Sequence, residues 1–214
     1  MSTYNFEEQE KIDRLKAWWA AHGGTVLMVA AVFAASVAGS QLWNHYQKQQ
    51  KQQAADLYAV LQQQLEKTGD ANKIKDAALL LIEGFPASGY APRAALVAAH
   101  ASAQAGDRQG AKDMLQWILD HGDEPEIQDL ARLRLAGIWL DERKPEQALA
   151  LLNVRHGTSF TGLYADVRGD ALAASRKISE ARAAYQQALD HMSGQSAYQN
   201  VIQMKMDALR DDQQ

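Results

Sequence analysis

Residues 166–189 read DVRGDALAASRKISEARAAYQQAL. Small residues stand at Gly169 and Ala181. Each is followed about one helical turn on by a bulky one, Leu172 and Tyr185, and Ala188 extends the second series. The pattern recurs 33 residues upstream, as Ala136 with Trp139 and Ala148 with Leu152. A further 37 residues upstream stands Ala99, followed by Ala111, Leu115 and Ile118. The four extra residues fall in the connection 121–125, HGDEP, where a turn absorbs them. Self-similarity at a period of roughly 20–50 residues marks a repeat architecture. Each unit reads as two antiparallel helices. The small residues let the two backbones approach, and the bulky ones fill the space between neighbouring units. One pair cannot cover its own apolar face, so pairs stack.

Turn signals fall between the helices. Gly106-Asp107 breaks the first pair, with Asp107 placed to cap the helix that follows. Pro145 suits a first helical turn, and Ser179 is read as starting the last second helix. Gly84-Phe85-Pro86 and Gly157-Thr158-Ser159 separate units. Residues 70–83 form an earlier helix. Residues 196–210 form a terminal one, with Val201, Ile202, Met204, Met206 and Leu209 as its expected capping contacts. The chain is rich in Ala, Leu and Gln and has only 4 Pro, so the expected fold class is all-α: a TPR-like helical-repeat solenoid preceded by a single transmembrane helix.

That first helix is read from charge. No Asp, Glu, Lys or Arg occurs between Ala17 and Gln47, and the apolar heart runs over 23–42. Twenty residues of helix reach about 30 Å, the thickness of a bilayer core. Trp18, Trp19 and His22 lie before it, and Trp43, His45 and Tyr46 after it, as an aromatic belt at each interface requires. Two other readings stand beside it. One is a buried helix of a soluble core. The other is a cleaved signal peptide, with Ser36-Val37-Ala38 as the small-x-small site. Against cleavage, the head carries Glu7, Glu8, Glu10 and Asp13 beside Lys11, Arg14 and Lys16, where a signal peptide is short and basic. The head also carries a helical face of Glu8, Ile12, Leu15 and Trp19, suited either to the membrane surface or to a frayed tail. Ala30, Ala34 and Ala38 form a small-residue face on which a second membrane helix could pack.

Residues 47–64 hold eight glutamines, yet Ala54, Leu57 or Tyr58, Leu61 and Leu65 keep helical spacing. The expected organisation is therefore a cytoplasmic head over 1–22, a span over 23–43, a helical connector over 44–68 and a repeat domain over 69–214. A short head inside and a long domain outside fits the slight basic excess before the span.

Composition narrows the chemistry. The chain has no cysteine, which removes disulfides, thiolate catalysis and Cys-based metal sites. Net charge is −4 with no basic run, so no nucleic-acid partner is expected. None of the six histidines pairs at a metal-binding spacing, and no catalytic motif stands in its proper context, so the chain is not read as an enzyme and no cofactor or metal is expected. The first helix of each pair lines the concave face of such a stack. That nominates Arg93, Leu96, His100, Leu130, Leu133, Gly137, Asp166 and Asp170 as a protein-binding groove, with its filling by the protein's own helix as the alternative. Asp166 and Asp170 read as a surface acidic patch or as polar groove residues.

Several segments together carry a family likeness: Trp18-Trp19 and Trp43-Asn44 around the span, Leu133-Arg134-Leu135-Ala136, residues 165–172 (ADVRGDAL) and Gln203-Met204-Lys205-Met206. Over nearly the whole chain it resembles the YfgM family, the ancillary subunit of the bacterial SecYEG translocon. The resemblance implies a single-pass inner-membrane protein with a periplasmic TPR domain and no catalytic residues. It implies association with SecYEG and with the PpiD chaperone, and a role in passing newly translocated, unfolded chains to periplasmic chaperones. An envelope scaffold that binds no unfolded client is the alternative.

Overall fold

The computed structural model describes residues 3–67, 69–192 and 197–211. Side chains are described from Glu10 to Leu209, so Glu8 of the expected head face lies outside them. Nine α-helices and no strand occur among the described residues: α1 (Thr3–Lys67), α2 (Ala71–Gly84), α3 (Tyr90–Gln104), α4 (Arg108–His121), α5 (Pro125–Asp141), α6 (Pro145–Leu152), α7 (Thr161–Ala174), α8 (Ile178–Asp190) and α9 (Ala197–Asp211), with one 3-10 turn at Thr158–Phe160. The chain divides into two compact units, 1–52 and 53–214.

The first unit is helix alone. It is part of α1, the one described helix long and apolar enough to cross a membrane, and none of that helix's apolar window is buried in protein. Leu27, Met28, Val29, Val32 and Phe33 are all exposed. That removes the buried-core reading of this segment, because a helix that is apolar all round and unburied has no aqueous resting place. Trp18 stacks on His22, with centroids 5.4 Å apart.

The second unit starts at Gln53, inside the stretch read as a connector. Ala54 and Leu61 are fully buried with Ile74, Ala78, Leu81 and Ile82 of α2 and the alanines of α3. Leu65, expected in the same stripe, is instead 42% exposed.

From α3 onward the helices pair as α3/α4, α5/α6 and α7/α8. The small residues meet inside each pair: Ala99, Ala111, Ala136, Ala148 and Ala181 are at most 2% exposed, and Gly169 is buried. The bulky residues that follow, Leu115, Ile118, Leu152, Leu172 and Tyr185, are buried between them.

Each pair turns in the same way. Gly106, Arg143 and Arg176 adopt positive φ (82°, 58° and 59°). Their N–H groups donate to Ala103, Leu140 and Ala173, and the next N–H groups reach back to Ser102, Trp139 and Leu172. This pair of bonds is the Schellman motif, which satisfies carbonyls at the helix end. The next helix is then capped by Asp107, whose Oδ1 accepts from Gly110 N at 2.8 Å, or begins with Pro145. The last second helix begins at Ile178, so Ser179 lies one residue inside it and makes no cap bond.

The terminal helix α9 closes the stack. Ile202, Met206 and Leu209 are buried against α7 and α8 residues. Val201 and Met204, expected beside them, are exposed at 43% and 71%. One helix can turn only one face to its neighbour, and these two lie on the other.

Candidate protein-binding groove

α3 presents one face away from α4. Its alanines at 94, 95, 98, 99 and 101 are buried. That leaves Arg93, Leu96, Val97 and His100 at spacings of three and four, the period that aligns side chains along one helical face. With Tyr58 and Leu65 of α1 and Arg134 of α5 they line an open cleft of about 290 Å³. Leu96 is buried, Val97 half-buried, and His100 and Arg134 exposed. The Tyr58 and Tyr90 rings meet at 5.3 Å beside Arg93.

Arg93 is already engaged. Its Nη1 and Nη2 donate to Glu124 Oε1 and Oε2 at 2.6 and 2.8 Å, a bidentate pair between α3 and the start of α5. A third bond goes to the Gly89 carbonyl. The hydrogen bond to Glu124 raises the Arg93 pKa, and the same bond holds the Glu124 carboxyl below the usual carboxylate range.

Of the other residues nominated on α5, none lines this cleft. Leu130 packs against the N-terminal core. Leu133 is buried in the middle core with Ala136, Tyr164 and Ala171. Gly137 is half-exposed beside open space.

Asp166 and Asp170 require a correction. Asp166 is 1% exposed, so it is neither a surface acid nor an accessible groove residue. Lys205 of α9 donates to Asp166 Oδ1 and Oδ2 at 3.0 and 3.1 Å and to Asp170 Oδ2 at 2.8 Å. Tyr198 donates to Asp166 at 2.6 Å and Tyr185 to Asp170 at 2.7 Å. Burial works against the Lys205 ammonium, but the bonds to Asp170 and Asp166 outweigh it, and its pKa is raised. Burial, then the hydrogen bonds to these acids, pushes the Tyr185 and Tyr198 phenols well above their ordinary range. At this end of the stack the inner face of α7 is covered by the protein's own last helix.

Two clusters escaped the sequence. Asp129 is 3% exposed and accepts from Tyr164 Oη (2.8 Å), Gly157 N (2.9 Å) and Arg132 Nη1 (3.2 Å), which ties α5 to the loop after α6. His156 stacks on Tyr164 at 4.1 Å. Burial pushes the Tyr164 phenol up to about 12, opposed by Arg132 and aided by Asp129. Trp139 is flanked by Lys112 and Lys144 at 4.4 and 4.9 Å, and both lysines bond Glu142. Two further clefts share His156: one of about 320 Å³ is lined by Asp129, Arg132 and Gly157 among others, and one of about 220 Å³ by Tyr164, Leu152 and Arg168 among others. No group of three or more His, Asp or Glu among the described residues is placed to hold a metal ion.

Stacked helix pairs around an open cleft define a helical-repeat scaffold. The chain belongs to the tetratricopeptide repeat-like domain family, whose model matches residues 16–211. It is 29% identical over 206 residues to a protein of Neisseria gonorrhoeae named an ancillary SecYEG translocon subunit, covering 96% of this chain and 99% of that one. A Haemophilus influenzae protein of the same name is 25% identical over the same shares. No solved structure matches the chain significantly.

Proposed function

We propose that the chain is an inner-membrane subunit associated with the SecYEG translocon that helps pass newly translocated polypeptides to periplasmic chaperones of the PpiD kind. The observation that carries this is end-to-end similarity to two proteins named as ancillary translocon subunits, in a chain that joins one unburied apolar helix to a repeat domain. In this reading residues 1–22 are cytoplasmic, 23–43 cross the lipid, and the repeat domain is periplasmic. Ala30, Ala34 and Ala38 meet a translocon helix, and Arg93, Leu96 and His100 lie where a client segment docks. The role is binding and not catalysis.

Purification of the full chain in mild detergent is expected to recover SecYEG and a periplasmic chaperone. Photo-crosslinkers at Ala34 and at His100 then divide membrane contacts from domain contacts. If neither partner is recovered from intact membranes, the proposal fails.

The internal pairing of Arg93, Asp166 and Asp170 favours a second reading, a scaffold that binds folded envelope proteins only. Full-length protein in detergent that recovers a folded partner but never slows the aggregation of an unfolded client would select that reading.

A further inference from the structure

We infer that the outer face of α9 is a docking surface for α9 of a second copy of this chain, the two helices lying antiparallel. The inference goes beyond translocon association and rests only on the membrane anchoring proposed above.

α9 is apolar on two sides. Ile202, Met206 and Leu209 are buried against α7 and α8 residues. Ala197, Val201, Met204 and Ala208 are exposed. At about 100° per residue these four fall within about 60° of arc, on the side of the helix away from the buried three. Such alternation of four- and three-residue steps is that of a helix–helix seam. Met204, 71% exposed, is the most exposed large apolar side chain described in the second unit. The last helix of a repeat array needs a polar outer face to stay soluble. In α9 that polar surface is confined to one flank, Asn200, Gln203 and Asp207, where Gln203 bonds Asp207. On the opposite flank Lys205 and Tyr198 bond inward to Asp166. No charged residue interrupts the apolar stripe.

The order of residues in the stripe selects its occupant. A two-fold contact needs a surface that matches itself, with residue i meeting j and j meeting i. Read in either direction, the stripe runs small, large, large, small. Laid antiparallel about an axis beside Ile202 and Gln203, Ala197 meets Ala208 of the second copy and Val201 meets its Met204. The positive end of each helix then lies beside the negative end of the other. The fit is to one helix of equal length, and the 15 residues of α9 reach only about 22 Å. One such face falls short of the roughly 800 Å² per partner typical of stable soluble complexes. The pair therefore forms where two copies are held in one membrane, which raises their effective concentration.

The chain has no cysteine, so each introduced thiol is the only one in its copy. Two differently tagged full-length copies, one Ala197→Cys and the other Ala208→Cys, are co-expressed and treated in native membranes with a short bis-maleimide. The mixed pair is expected to crosslink. Either variant alone is not, because like positions lie about 16 Å apart along the axis. Adding Met204→Asp to both copies should reduce the product to the level of either variant alone. Leu80→Asp, at an exposed leucine of α2, should leave it unchanged. Crosslinking of each variant with itself but not in the mixed pair means parallel helices and overturns the inference. So does an undiminished product in Met204→Asp, or a product with a different protein only, which assigns the face to another partner. If the protein is membrane-bound and the mixed pair gives no dimer, this inference alone falls. If the protein is recovered in soluble form without dimer, the anchoring falls with it.

Discussion

At Gly169 a single hydrogen atom decides whether the last pair closes. A Cβ placed there would sit 2.5 Å from two atoms of the Tyr185 ring, and that ring is held by its bond to Asp170. Gly169→Ala should therefore destabilise the protein by about 1–3 kcal/mol from overpacking, more than the roughly 1 kcal/mol that alanine gains as a helix former. Gly137, one repeat earlier at the position that Asp170 holds in the last pair, has open space where its Cβ would be. Gly137→Ala should raise stability by up to about 1 kcal/mol. Urea midpoints of the two variants, moving in opposite directions, check both. The small-residue requirement was legible in sequence because its spacing repeats. The turns were only partly so. Gly106 announces a left-handed residue by its type, whereas Arg143 and Arg176 adopt the same conformation with no chemical sign of it. Only their repeat offset from Gly106 marks them.

At the scale of an element, α9 ends the array by supplying charge where the earlier repeats supply none. Asp166 occupies the repeat position held by Leu133 and, one unit further back, by Leu96. In the earlier units that position faces apolar neighbours; in the last, Lys205 and Tyr198 meet it. Lys205→Met should cost roughly 3 kcal/mol, since it leaves a buried carboxylate without its cation. Adding Asp166→Leu should recover most of that loss, because a buried ion pair replaced by apolar groups of similar volume is often neutral. Chemical denaturation of the single and double variants reads the difference, and a double variant as weak as the single one contradicts the account. Sequence placed α9 and three of its contacts, Ile202, Met206 and Leu209. It could not place the pair that makes the contact specific, since Asp166 and Lys205 lie 39 residues apart and no local pattern links them. Asp129 was invisible for the same reason, its partners being a tyrosine and a loop N–H a repeat away.

At the scale of the whole molecule, two buried phenols, Tyr164 and Tyr185, and a third bonded to a buried carboxylate, Tyr198, give the repeat domain an alkaline limit. Tyr164 is pushed up to about 12, and Tyr185 and Tyr198 are pushed higher than their ordinary value. A tyrosine whose folded pKa exceeds its unfolded value near 10 favours folding fully below about pH 10. That contribution is lost as pH rises through the folded value. Stability should therefore fall steeply between about pH 10 and 12, and Tyr164→Phe should fall less steeply over that window. Urea midpoints taken at intervals of pH, with phenolate absorbance followed in parallel, test this. A wild-type midpoint that stays level to pH 12 would exclude it. The architecture at this scale was the most legible part, because periodicity, caps and an uncharged 31-residue stretch each act over short range. The groove was the least legible. The cleft beside α3 takes Arg134 from α5, while Leu130, Leu133 and Gly137 lie outside its lining, and that depends on how one helix is rotated about its axis against its neighbours.

The way α9 is matched to α7 also fixes where this protein can grow. A duplicated unit added after α8 would face an acid meant for Lys205 and would separate the last helix from its seat. A copy of residues 125–157 spliced ahead of α7 carries leucine at the corresponding position, as the unit before it does, and leaves the pairing of Asp166 with Lys205 untouched. Lengthened versions of the chain, natural or engineered, should carry their additional units in the middle.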